Sequence, residues 1–333
     1  MKKNTIIAPK QEIITVPKIE TERTVDKTLN QFFAHGKLLL TGEYFVMVGA
    51  KALALPLRFG QTLTVYKTSS KGILLWNALQ YNKVWFSCTF QLSDLTLLGA
   101  TDDQVASRLQ LTLKAAKKLN PSFLNTSQGY KITTNLNFHR EWGLGTSSTL
   151  LANIAQWADV NVYTLHWSVS NGSAYDIACS REKQPLIYTV EDKKPFVRTL
   201  SYNPPYRESI YFVYLGNKQN TANSIKQFDC DTEKYAQEIA RISEITESFV
   251  KASSIGEISS LIEEHESIVS HVLCIPPVKE SLFSDFPGAV KSLGAWGGDF
   301  AMVVSDIPKP QLYAYFRKKG LNTVFSYGEM IPV

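Results

Sequence analysis

Along the chain the spacing of apolar residues alternates between a period of about two and a period of about 3.6, which predicts strands interleaved with helices. Residues 32–49 and 52–69 are apolar, β-branched and aromatic runs broken by Gly, Pro and Ser, and both read as strand-rich. Residues 73–76 and 84–86 flank a polar turn at Tyr81-Asn82-Lys83, the pattern of a hairpin. Asp102 and Asp103 open a helix with Val105, Leu109, Leu113, Ala116 and Leu119 at helical spacing, and Asn120-Pro121 stops it. A strand follows over 130–138. After a glycine-punctuated loop comes a helix-compatible run over 150–157.

Beyond Trp157 the chain enters a loop at 171–178 that feeds a small-residue segment, then two short strands, 186–190 and 196–200. Asn203-Pro204-Pro205 is the best candidate boundary, because two prolines stand between polar residues ahead of a new strand at 209–215. The second half then reads β-α-α-β-α-β. Asp231 caps a helix with Tyr235, Ile239, Ile242 and Phe249 on one face. Ser254 precedes another with Ile258, Leu261, Ile262, Ile268 and Val272. A strand at 300–305, a helix at 310–319 and a strand at 321–327 close the chain. This division gives an extension (residues 1–28), a first domain (29–205) and a second (206–333).

With 333 residues there is enough chain for two cores. A net charge of +5 without a basic stripe suits an acidic small molecule and excludes a nucleic-acid footprint. No stretch of apolar residues is long enough to span a membrane, and the basic N-terminus lacks the apolar segment of a signal peptide. Cys88, Cys179, Cys230 and Cys274 are scattered, which argues against a zinc site or disulfide scaffold and fits a reducing cytoplasm. His265 and His271 lack metal-ligand spacing, so a surface or packing role is expected for both.

The chemistry concentrates in the loop at 143–148. Gly143 and Gly145 permit a tight turn and close approach of an anion to the backbone. Thr146, Ser147 and Ser148 then occupy a helix N-terminus, where free N–H groups favour phosphate. The same residues also suit an ordinary Ser/Thr-capped loop. No Lys follows the second glycine and Ser148 stands at the third glycine position of a dinucleotide fingerprint, so neither of those two nucleotide motifs applies. Two further glycine loops accompany it, one from Gly36-Lys37 to Gly42-Glu43-Tyr44 and one from Gly294 to Asp299.

Together, in this order, the three loops and the Ser173-Ala174-Tyr175-Asp176 segment resemble the signature motifs of the GHMP kinase superfamily, which phosphorylates galactose, homoserine, mevalonate and phosphomevalonate. The resemblance runs from about Phe33 to Tyr327 and is strongest to the mevalonate and phosphomevalonate kinase branch. It implies a two-domain α+β fold. An N-terminal mixed-sheet domain with a left-handed β-α-β crossover and a ferredoxin-like C-terminal domain would enclose the active site between them. It further implies ATP and Mg²⁺ as cofactors, a small-molecule acceptor, and a monomer or homodimer that binds neither nucleic acid nor membrane.

By the same resemblance Gly143, Leu144, Gly145, Thr146, Ser147 and Ser148 wrap the nucleotide phosphates, with Ser147 nearest the metal. Asp176 matches the catalytic aspartate, which either accepts the acceptor's proton or orients its hydroxyl, and Lys37 matches a lysine that stabilises the developing alkoxide. Outside that context Asp176 reads as a turn residue and Lys37 as a solvated strand end. The substrate side includes Lys37, Glu43, Ser173, Thr221, Trp296, Gly297 and Gly298, with Glu43 either a charge partner near Lys37 or a buried contact at the turn. A phosphorylated acceptor needs a second cationic cluster, for which Lys67, Lys71, Lys83, Arg140 and Arg181 are candidates.

Three positions depart from the family pattern. His35 replaces a proline and Trp296 a glycine. Leu165 stands where mevalonate kinases carry a metal-binding Glu, and Asp159 is the nearest upstream acid. The competing expectations are a catalytically silent ligand-binding protein, or a kinase of the same fold acting on a sugar or homoserine.

Overall fold

The first strand, β1 (Thr28–Leu39), pairs antiparallel with the long β2 (Ala52–Thr68), and the chain between them reverses through Gly42. Gly42 has φ +86°, and a Cβ there would lie 2.7 Å from that of Ala52, so only glycine fits the reversal. The computed structural model describes residues 28–216, 231–294 and 299–332. The expected extension therefore lies almost wholly outside the described residues, Thr28 alone opening β1. Residues 45–48, expected to continue a strand, form a 3₁₀ turn instead, because Tyr44 takes φ +64° and Val46 bonds back to Gly42.

β3 (Ile73–Gln80) and β4 (Lys83–Gln91) form the expected hairpin. Its two-residue turn, Tyr81 and Asn82, has φ +49° and +64°, the positive values that a twisted hairpin requires. β4 continues into β5 (Leu97–Ala100) and then α1 (Asp103–Leu119), whose cap, Asp102, accepts from the N–H groups of Gln104 and Val105. α1 leads back to β6 (Gly129–Leu136), which lies parallel to β3 and antiparallel to β2, so the sheet is mixed. β7 (Leu186–Glu191) and β8 (Lys194–Thr199) complete it in the order β5-β4-β3-β6-β2-β7-β8, with β1 on β2.

Helices α2 (Thr146–Ala158), α3 (Val162–Val169) and α4 (Tyr175–Arg181) join α1 in packing on this sheet. Trp76, Phe90 and Ile132 of the strands meet Leu113, Ile154 and Leu165 of the helices in one buried core.

The second sheet is antiparallel, built from β9 (Ile210–Tyr214), β10 (Ala289–Leu293), β11 (Phe300–Val304) and β12 (Val324–Ser326) in the order β10-β11-β9-β12. That is the ferredoxin-like order. α5 (Ala236–Lys251), α6 (Ile255–Leu273) and α7 (Val278–Leu282) stand between β9 and β10 in the chain. α8 (Lys309–Lys318) precedes β12, and α9 (Tyr327–Met330) ends the described chain. Alternation sorts the two faces. Phe300, Met302 and Val304 pack with Phe249 and Ile262, whereas Ala301 and Val303 pack with Leu312 and Phe316. The first of these cores also takes in Leu38, Leu53, Leu55 and Leu136 of the first sheet, so the two sheets share apolar burial.

Beside that shared core lies a buried polar knot. Lys291 of β10, fully buried, donates to Glu43 Oε1 at 2.8 Å and to the carbonyl of Ser292 at 3.1 Å. Glu266 of α6 stands 3.5 Å from the same ammonium and accepts from the Ser292 N–H and hydroxyl at 3.1 and 2.9 Å. His265 is also fully buried, and its Nε2 accepts from the N–H of Gly42 at 3.0 Å, which puts its ring proton on Nδ1. Burial, with Lys291 second, holds that imidazole far below its ordinary pKa and therefore neutral. His265 thus packs, and His271 is exposed.

Burial lifts the Glu266 carboxyl from an ordinary 4.5 to about 7, with Lys291 opposing. The native state then holds its proton more tightly than the unfolded chain, so this residue's contribution to stability falls as pH rises between those two values. Glu266→Gln removes the titration. Urea unfolding at pH 4.5 and pH 8 is expected to show the stability of the parent relative to the variant dropping by roughly 3 kcal/mol over that span. A difference that does not change with pH would contradict the assignment.

Candidate active site

The site begins with an irregularity in β1. Its register against β2 slips between His35 and Lys37, and the N–H of Lys37 turns away from the ladder to donate to the carbonyl of Leu144 at 3.0 Å. A Cβ on Gly36 would meet that same carbonyl at 2.9 Å, so the glycine lets the first loop and the 143–148 loop touch through backbone. Lys37, partly buried, reaches into a cavity of about 690 Å³.

The 143–148 loop forms the next wall. Gly143 and Gly145 take φ +66° and +97°, and α2 starts at once with Thr146. Leu144 between them is buried and anchors the loop in the core shared by the two sheets. The hydroxyls that follow divide their roles. Ser148 is buried and donates back to the Gly145 carbonyl at 3.0 Å, and Thr146 donates to the Arg140 carbonyl at 3.4 Å. All three line the cavity beside the free N–H groups of the helix start, and Ser147 alone of them is exposed.

The third loop reaches the other two through Asp299, a buried residue. A Cβ on Gly143 would stand 2.0 Å from Asp299 Oδ2, so the carboxylate lies directly under that glycine. Gly294 lines the cavity. Trp296, Gly297, Gly298 and Thr221 lie outside the described residues.

On the far side, Ser173 accepts at its carbonyl from the Tyr188 hydroxyl, Ala174 takes φ +66°, and α4 then begins with Tyr175 and Asp176. The expected loop is thus helical from Tyr175 onward. Asp176 is partly exposed at the cavity, and its Oδ1 accepts from the N–H of Ile177 at 3.0 Å. Burial pulls the Lys37 ammonium towards neutrality. Its neighbours Tyr175, Asp299 and Asp176, in that order of effect, outweigh it, so the net shift is upward and Lys37 stays protonated. Glu43 also lines the cavity, but its carboxylate is engaged by Lys291, and burial raises its pKa.

Lys37, Glu43, Gly143, Gly145, Thr146, Ser147, Ser148, Ser173 and Asp176 therefore border one cavity. Sequence reasoning missed Tyr175, Asp299, His166 and Trp85. The first two stood inside quoted motifs. His166 gave no signal, being placed on the cavity only by the packing of α3. Trp85 faces a second cavity, about 660 Å³, where the Arg140 guanidinium stacks 4.6 Å from its ring centroid and Lys83 and His139 complete the rim. Of the cations considered for a second anion cluster, Arg140 borders both cavities and Lys83 the second. Lys67 pairs with Tyr130 at the end of β6 away from the loop, and Arg181 closes α4.

No group of three or more His, Cys, Asp or Glu that could hold a metal ion occurs among the described residues. Leu165 is fully buried, and Asp159 caps the opposite end of α2, about 18 Å of helix from Ser147. Mg²⁺ keeps several waters and takes few protein oxygens when phosphates supply the rest. The exposed Ser147 hydroxyl fits that requirement.

No known protein-family profile matches the chain, and no curated protein is similar to it in sequence. Solved structures do match. The Methanococcus jannaschii mevalonate kinase superposes with a TM-score of 0.67 at 15% identity, over 93% of this chain and 99% of that one. A Streptococcus pneumoniae phosphomevalonate kinase, in complex with phosphomevalonate and AMPPNP, gives 0.64 at 16%, over 90% and 100%. The Lactococcus lactis galactokinase complexed with galactose gives 0.62 at 10%, over 89% and 92%. The chain has the GHMP kinase fold. Among the described residues no helix is long and apolar enough to cross a membrane.

Gly143→Ala tests the packing of the three loops. The substitution combines a left-handed backbone with a clash on Asp299, and a loss of about 2–4 kcal/mol is expected in chemical unfolding. Wild-type stability in the variant would show that Asp299 is not held under the loop.

Proposed function

We propose that this chain is an ATP- and Mg²⁺-dependent kinase that transfers the γ-phosphoryl group of ATP to mevalonate or phosphomevalonate, a step in isoprenoid precursor synthesis. The observation that carries the reading is the convergence of Lys37, Asp176, Ser147 and the N-terminus of α2 on one cavity. Phosphoryl transfer asks a protein chiefly for positioning and charge neutralisation, and these groups supply both.

In the reaction the acceptor oxygen forms a bond to the γ-phosphorus while the bond from that phosphorus to the ADP oxygen breaks. With mevalonate as acceptor, Asp176 takes or steers the proton of its hydroxyl and Lys37 offsets the negative charge that develops on the oxygen. With phosphomevalonate the attacking group is a phosphate oxygen, and Lys37 offsets its charge. The N–H groups at the start of α2 hold phosphate oxygens, and Ser147 is the protein oxygen offered to the metal. Bound Mg²⁺ neutralises phosphate charge. The second cavity adjoins the loop at Arg140 and offers the Trp85 ring as a flat wall for a base.

The lining of the other wall supports the choice of acceptor. Leu39, Val46 and Met47 give it an apolar side opposite Asn171 and Ser173, which suits a branched aliphatic hydroxy acid better than a sugar hydroxylated all round its ring. We divide the chain into residues 1–28, 29–205 and 206–333. The first sheet ends at Thr199 and the second starts at Ile210, which supports that division.

One observation favours a catalytically silent ligand-binding protein instead, namely the buried Leu165 in place of a metal-binding carboxylate. ADP release measured with mevalonate, phosphomevalonate, homoserine and galactose separates the two readings. Turnover with either of the first two is expected, and none with any acceptor would leave the silent reading. Asp176→Asn should lower kcat by roughly 10²–10⁴ while affinity for a non-hydrolysable ATP analogue holds. A kcat near that of the parent would remove Asp176 from the mechanism.

A further inference from the structure

Two faces of α3 meet different surroundings. Val162 and Leu165 are sealed in the first core, whereas His166 borders the cavity and is still only 7% exposed. The turn that follows α3 is held at several points. The Ser170 N–H donates to the His166 carbonyl at 2.8 Å, and the Gly172 N–H to the Ser170 hydroxyl at 3.2 Å. The Trp167 indole N–H donates to the Gly172 carbonyl, also at 3.2 Å.

His166 Nε2 lies 3.3 Å from that same carbonyl. A carbonyl only accepts, so Nε2 carries the ring proton, and in the neutral ring Nδ1 presents a lone pair. Nδ1 has no hydrogen-bond partner among the described residues, yet it is not sealed in the interior as Nδ1 of His265 is. In a side chain buried this deeply at the cavity wall, such an atom opens on the cavity. The wall therefore offers an acceptor of fixed position.

In the open cavity water meets that acceptor. A ligand that displaces the water must bring a donor of its own or leave the nitrogen desolvated and unpaired, which costs more than an ordinary hydrogen bond returns. A carboxylate or phosphate oxygen has no proton to give, but a hydroxyl has. Mevalonate and phosphomevalonate both carry a tertiary hydroxyl at carbon 3, away from the reacting group at carbon 5. We propose that His166 is a specificity-determining residue for the acceptor, its Nδ1 taking a hydrogen bond from that 3-hydroxyl. The inference rests on the kinase reading of the cavity.

The test compares kcat/KM for the acceptor that the parent turns over with kcat/KM for its counterpart bearing hydrogen in place of the 3-hydroxyl. The parent is expected to favour the hydroxylated acceptor on the order of 10–100-fold. His166→Phe keeps a ring on the wall without a lone pair, and Trp167 still holds the Gly172 carbonyl. Its preference should fall to within about threefold of unity, while the Kd for AMPPNP stays within about threefold because the phosphate loop is untouched. His166→Leu, smaller and equally without a lone pair, replaces it if the larger ring disturbs folding. A purely structural role would lower both acceptors alike and leave their ratio unchanged. That outcome, or a parent that uses the two acceptors equally, overturns this inference and leaves the kinase reading standing. Absence of turnover by the parent with every acceptor overturns both.

Discussion

The cleft depends on one buried ammonium. Lys291 enters from the second sheet and is shared between Glu43, on the turn that follows the first strand, and Glu266, on the helix behind it. Such an arrangement adds little net stability compared with apolar side chains of the same volume, because desolvating the charges costs about as much as their attraction returns. Its effect is positional. The partners cannot separate without leaving a bare charge in the interior, so the first glycine loop is fixed against the second sheet. The neutral His265 reinforces this by accepting the N–H of Gly42, a backbone donor within the same turn.

With that turn fixed, the other two loops are located by backbone contact. Lys37 bonds to the Leu144 carbonyl, and Asp299 lies under Gly143. Each contact requires a glycine for want of space, so the loops are steric complements of one another as well as places for phosphate to approach. The charges follow the same geometry. Lys37 sits among Tyr175, Asp299 and Asp176 and stays protonated despite burial.

Much of this was legible along the chain. The helical stripe of α1, the Tyr81-Asn82 turn and the strand–glycine loop–helix passage at 130–157 need only local spacing and turn chemistry, and each appears where the pattern placed it. The β10 strand was not legible. Its sequence, Ala-Val-Lys-Ser-Leu, carries two polar residues that look like a surface segment until Glu43 and Glu266 are seen to accept hydrogen bonds from them. Residues 45–48 failed in the opposite direction. Their apolar run reads as strand, but the reversal at Gly42 and Tyr44 winds it into a 3₁₀ turn.

By itself the sequence determined the element types of the long periodic segments and the identities of Lys37, Ser147 and Asp176 as candidates, because periodicity and motif are local properties. Only the tertiary structure decided which of the three hydroxyl residues is exposed, that the Tyr175 ring sits beside Lys37, and that Glu43 answers to Lys291. Those outcomes depend on groups as many as 248 residues apart in the chain. No local pattern encodes a partner at that distance, since it is selected by burial and charge once both sheets have closed around it.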